Sequence, residues 1–151
     1  MQAALPNPTR QDLLTLARTI WGEARGESTE GQIAVAQVVM NRWEFGPDHY
    51  WNRGAIRSQR GTIQGTCLTR YQFSCWNDND PNLPKLQGLD EYRDATFRHF
   101  LTLARLATCY LLRDLVEGAT HYHTKAVSPF WAERREPVVT IGEHHFYRGI
   151  R

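Results

Sequence analysis

The amino-acid sequence predicts an α+β fold that is mainly helical, with a small antiparallel β-sheet or hairpin. Three observations carry this expectation. Apolar residues recur at helical spacing between Leu13 and Trp43. Helical spacing returns after Leu89. From Ala119 onward the chain changes to short β-type runs.

Taken in order, residues 1–8 read as a short extended lead with two prolines, and residues 9–151 as a single domain. A chain of 151 residues suits one domain. At that length roughly two-thirds of the unfolded surface can be buried. Thr9 opens the first helix, and Thr9 and Asp12 have capping-box-like spacing, with Asp in place of Glu or Gln. Leu13, Leu16, Ala17, Ile20, Trp21 and Ala24 form its apolar face, and Gly26 ends it. A second helix starts at Ser28 or Thr29, where Thr29 and Gln32 have true capping-box spacing. Its run GQIAVAQVVMNRW is apolar almost all round, as a central buried helix should be. It is expected to end between Asn41 and Glu44.

Residues 45–88 are rich in Gly and Pro and read as loop with short strands. Tyr71, Phe73 and Cys75 alternate with polar neighbours there, which predicts a strand. So long a loop in a compact domain is usually functional. Residues 89–115 read as helical, in one or two pieces. ATHYHTKAV and PVVTIGEHHFYR then predict a hairpin or a piece of sheet.

Composition excludes several classes. Hydrophobic residues are 41% and charged residues 23%, a globular balance. The net charge of +2 and pI of about 8.5 fall short of the basic patch of a nucleic-acid binder, and mildly suit an anionic polymer. No stretch reaches the ~20 apolar residues of a membrane span. MQAALPNPTR lacks a basic and an apolar signal region, so synthesis in the cytoplasm without a secretory signal is expected. The three cysteines, Cys67, Cys75 and Cys109, are read as reduced thiols. In an oxidising compartment Cys67 and Cys75, flanking a hairpin, would be the pair to join.

The segment Trp21-Gly22-Glu23-Ala24-Arg25-Gly26-Glu27 holds the strongest chemical signal. Glu23 falls near the C-terminal end of an apolar helix, beside a tryptophan. Lost solvation and the negative helix end both favour the neutral carboxyl, which suits a general acid. Gly22 and Gly26 would leave room for a bulky substrate to approach the backbone.

The string GEARGE at residues 22–27, followed by EGQIAVAQVVMNR, resembles the spore cortex-lytic cell wall hydrolases, the SleB-type family. The resemblance continues at Gln72-Phe73-Ser74, Gly118-Ala119-Thr120-His121-Tyr122, Trp131 and Ile141-Gly142-Glu143-His144-His145-Phe146, and spans about residues 13–148. It implies a lysozyme-like helical core, peptidoglycan lytic transglycosylase activity and Glu23 as the catalytic acid. Two departures stand out. The chain shows neither signal nor separate wall-binding domain, and its middle region looks longer and more aromatic. A compact domain without an export signal resembles a bacteriophage endolysin, released through a holin pore. The expected partner is bacterial peptidoglycan, bound by a monomer without nucleic acid, membrane insertion or cofactor.

Two glycan chemistries stay open. An N-acetylmuramidase needs a second carboxylate, about 5 Å from the acid if retaining or about 6.5–9.5 Å if inverting. A lytic transglycosylase needs one acid, because the muramic C6 hydroxyl closes the ring itself. Glu27 follows a helix break, and Asp78 and Asp80 sit in the turn-like WNDNDPN, so transglycosylase is preferred. Gln72, Phe73, Ser74 and Trp76 are the candidate cleft wall, with Tyr122 facing them from the sheet. Two other classes compete. His121, His123, His144 and His145 would serve a zinc-dependent wall amidase, although no HExxH frame is present. A non-catalytic wall-binding module would bind without cutting.

Overall fold

A computed structural model describes residues 5–151. Residues 5–9 form neither helix nor strand, and residues 1–4 of the expected lead lie outside the described residues. Five α-helices follow: α1 (Arg10–Ala24), α2 (Thr29–Glu44), α3 (Ile63–Leu68), α4 (Leu83–Gln87) and α5 (Ala95–Thr108). Three strands close the chain: β1 (His121–Thr124), β2 (Val139–Ile141) and β3 (His144–Tyr147). Both neighbours of β3 are antiparallel to it, in the order β1-β3-β2. The α+β expectation holds.

Thr9 and Asp12 close the expected capping box on α1. The Asp12 carboxylate also accepts the Gln64 N–H at 2.8 Å, so the same cap pins α3. On α2 the cap is Ser28, whose hydroxyl accepts the Gly31 N–H. The Thr29–Gln32 box does not form, because the Gln32 amide turns back to the Glu27 carbonyl and its oxygen pairs with His99.

Three expectations need correction. The stretch 71–75 is no strand. Tyr71 adopts φ 65, the next turn is a 3-10 turn over Ser74–Trp76, and Tyr71 is exposed while Phe73 and Cys75 are buried. Residues 89–115 yield only α5. Asp90 and Asp94 tie the N-terminal part into turns. After α5, Tyr110 takes φ 55, and Gln37 captures the Arg113 carbonyl and the Leu115 N–H. Side-chain capture outcompetes helix propagation at both ends. No hairpin joins Cys67 to Cys75; both thiols are free and buried.

Two apolar clusters meet at α2. Ala36, Val39, Met40 and Trp43 face a core shared with Leu16, Ile20, Phe97 and Phe100. Ala34 and Val38 face a second cluster with Val116, Ala119 and Phe146 under the sheet. This explains why α2 is apolar almost all round. Tyr122 packs against both clusters. Among the described residues no helix is long and apolar enough to cross a membrane.

Candidate active site

Glu23 is the last residue but one of α1 and is half-buried. Burial raises its pKa to about 6, against an ordinary value of 4.5. Four groups oppose that rise: the Tyr122 hydroxyl, the Cys75 N–H, the Arg42 guanidinium and the Ser74 N–H. Tyr122 is itself pushed up, first by burial and then by Glu23, so its hydroxyl keeps its proton and donates it in a hydrogen bond. The aromatic partner of Glu23 is therefore Tyr122. Trp21 lies in the core, 6% exposed, with the Arg25 guanidinium 4.2 Å above its ring.

Gly22 has a different purpose from the one its sequence suggests. A Cβ there would sit 2.5 Å from the Cys75 Cβ and 2.8 Å from its sulfur. The missing side chain lets the 72–76 segment press on α1, which brings the Ser74 and Cys75 N–H groups to Glu23. Of these two glycines, Gly26 is the open one, with nothing within 4 Å.

Arg42 ties the site together, and sequence reasoning missed it. It is 5% exposed, and its Nε donates to the Thr120 carbonyl at 2.5 Å. Its Nη1 reaches the Gln72 side-chain oxygen at 3.2 Å, and its guanidinium stacks 4.7 Å above the Phe73 ring. Its neighbour Asn41 donates to the Ala119 carbonyl at 2.8 Å. The end of α2 thus fixes both the approach to β1 and the 72–73 turn. A lone arginine inside the apolar run GQIAVAQVVMNRW was the available signal, since a buried guanidinium must find partners.

The other candidates divide. Gln72 is half-buried and serves Arg42. Phe73 is 2% exposed, so its ring is a platform for Arg42 and presents no face to a substrate. The Ser74 side chain is exposed. Trp76 is half-buried, and its indole N–H donates to the Thr19 hydroxyl at 2.9 Å. It lines a cavity of about 500 Å³ between residues 68–71 and 76–79.

The four histidines do not act as a set. Among the described residues no group of three His, Cys, Asp or Glu side chains converges as metal ligands. His144 Nδ1 lies 3.1 Å from Glu27 Oε1, a contact between two largely buried side chains that the sequence did not reveal; burial lowers the His144 pKa, which disfavours the charged ring. His121 hydrogen-bonds Tyr50 and the Thr120 hydroxyl, and burial lowers its pKa to about 3. It stays neutral. Burial pushes both Cys67, to about 12, and Cys75 upward, so they remain thiols.

A carboxyl that still holds its proton about half the time at pH 6, with donors placed for its ionised form, is the equipment of a general acid–base enzyme. The chain belongs to the cell wall hydrolase family, whose profile matches residues 26–147. That span takes in Arg42, the 72–76 turn and Tyr122; Glu23 lies just before it. A spore cortex-lytic enzyme of Bacillus subtilis is 50% identical over 34 residues, which is 22% of this chain and 11% of that protein. One from Oceanobacillus iheyensis matches equally over 34 residues, 12% of its length. The catalytic domain of the Bacillus cereus SleB protein superposes with a TM-score of 0.67 at 23% identity, covering 97% of each chain. That of the germination-specific lytic transglycosylase SleB from Bacillus anthracis gives 0.61 at 23% identity, over 94% of this chain and 98% of that one.

Proposed function

We propose that this chain cuts the glycan strand of bacterial peptidoglycan between N-acetylmuramic acid and N-acetylglucosamine, as a lytic transglycosylase with Glu23 as acid and then base. The observation that carries the reading is the environment of Glu23: burial raises its pKa to about 6, while Tyr122 and two N–H groups wait for the carboxylate. Neutral Glu23 gives its proton to the bridging oxygen. The bond from that oxygen to muramic C1 breaks, and the glucosamine leaves with a hydroxyl. Charge develops at C1 as in an oxocarbenium ion. The new carboxylate, held by its donors, takes the proton of the muramic C6 hydroxyl as that oxygen attacks C1. The product is a 1,6-anhydro ring and Glu23 is neutral again. No water enters.

The groups that act most on Glu23 are a phenol, two amides and a guanidinium. None is a carboxylate, and Glu27, the nearest in sequence, is occupied by His144. That supports the one-acid reaction over hydrolysis, which needs a partner carboxylate. Mass spectrometry of digested sacculi tests it. Anhydro-muramic ends are expected; reducing muramic ends alone would assign a muramidase.

A further inference from the structure

The tail holds residues that the Glu23 pocket does not use. Side chains alternate along β1, so Tyr122 points toward Glu23 and His123 to the opposite face of the sheet. The register extends this division. Tyr122 pairs with Phe146, which is buried against α2, whereas His121 pairs with Tyr147 and His123 with His145. The outer face is therefore a patch of rings. His123 stacks on Tyr147 at 5.3 Å and 21°, and its Nε2 meets the Tyr147 hydroxyl at 2.9 Å. Trp131 comes over from the 125–135 loop and meets Tyr147 edge-on at 5.2 Å and His123 at 5.7 Å. Next to it Phe130 is 89% exposed, the most open large apolar side chain among the described residues.

A cavity of about 530 Å³ opens on this face, with His123, His145 and Tyr147 among its lining and Phe130, Lys125 and Glu133 beside them. That volume lies within the roughly 300–1,000 Å³ of small-molecule sites. Its chemistry is specific. Flat rings offer faces on which the C–H side of a pyranose stacks. Imidazoles, a phenol, an ammonium and a carboxylate surround them for hydroxyl and acetamido groups. A fully exposed phenylalanine at such a rim marks a contact surface.

We propose that this outer-face cleft is a second saccharide site, which holds an N-acetylated segment of the glycan while Glu23 acts on the other side of β1. The identity of the occupant rests on the glycan-cleaving function proposed above. The half-buried His123 and His145, with the buried Tyr147 ring behind His123, form the platform, Phe130 the second ring, and Lys125 faces the lactyl or peptide carboxylates that a muramic strand carries.

The test is an NMR titration of the full chain carrying Glu23→Gln with chitotetraose, read at the ring protons of His123, His145 and Tyr147. Saturable shifts are expected at these rings. Phe130→Ala on that background should weaken binding about fivefold, the worth of one aromatic contact, with an unchanged Tm. Silent rings, an affinity unmoved by Phe130→Ala, or shifts produced only by a free stem tetrapeptide would each overturn the proposal. Lysis of sacculi by the wild-type chain, measured in parallel, separates the two ideas. Lysis with silent rings removes the second site and leaves the function. Saturating rings without lysis leave the site and remove the function.

Discussion

Glu27 and His144 meet at 3.1 Å, oxygen to nitrogen, and bind the turn after α1 to the β2–β3 hairpin. The His144 ring stands edge-on to Tyr122, 5.2 Å away at 90°, and Tyr122 in turn touches Glu23. The two glutamates of one short segment are thus both held by the sheet, Glu23 through Tyr122 and Glu27 through His144. Burial lowers the His144 pKa although Glu27 pulls it up, so the desolvation cost is the larger effect.

Gly142 makes this pair possible. It adopts φ +56, and a Cβ there would lie 2.4 Å from Glu27 Oε2. Gly142→Ala should therefore destabilise the fold by about 1–2 kcal/mol, the left-handed backbone cost, with the Glu27 carboxylate displaced from the new Cβ. Gly26→Ala, with nothing within 4 Å, should stay within about 0.5 kcal/mol. Urea denaturation measures both. Equal midpoints for the two variants would refute this account of the hairpin turn.

Activity should follow the protonated fraction of Glu23. With its pKa raised to about 6, kcat/KM should fall about tenfold per pH unit above that value. The Tyr122 hydrogen bond lowers the Glu23 pKa, so Tyr122→Phe should shift this alkaline limb to higher pH while slowing turnover. A limb that moves down, or stays put, would remove Tyr122 from the role of donor to the carboxylate.

The same shift affects stability. A carboxyl with a raised folded-state pKa favours folding while protonated. That contribution is complete below the unfolded value of about 4.5 and is lost as pH rises through about 6. At pH 8 the ionised Glu23 should cost about 1–2 kcal/mol. Glu23→Gln removes that cost. The variant should melt higher than the wild type at pH 8 and together with it at pH 4. Calorimetry at the two pH values reads this directly, and a variant less stable at pH 8 would contradict it.

What the sequence revealed was local. The Thr9–Asp12 cap needs residues three apart, and the β-type runs of the tail announce their strands, although the alternation at 71–75 announced none. Glu23 was legible chiefly because the GEARGE string resembles a known cell wall hydrolase motif; its place beside a tryptophan near the end of an apolar helix pointed the same way. What it hid was tertiary. Arg42 meets Thr120 across 78 positions and Gln72 across 30, and no periodicity encodes such partners. Phe73 and Ser74 looked alike as cleft wall. The contact of Gly22 with Cys75 and the stacking of Arg42 on Phe73, both tertiary, go with Phe73 inside and Ser74 outside. The Tyr122 hydroxyl, which donates to Glu23 and opposes the effect of burial, comes from the far end of the chain and was equally hidden.

The most direct test is the lytic rate of Glu23→Gln on purified sacculi, with its fold verified by circular dichroism. Glutamine keeps the shape and loses the transferable proton. The rate should fall at least ~10²-fold while the variant still sediments with the wall. A folded variant that clears sacculi at close to the wild-type rate would show that the proton comes from elsewhere.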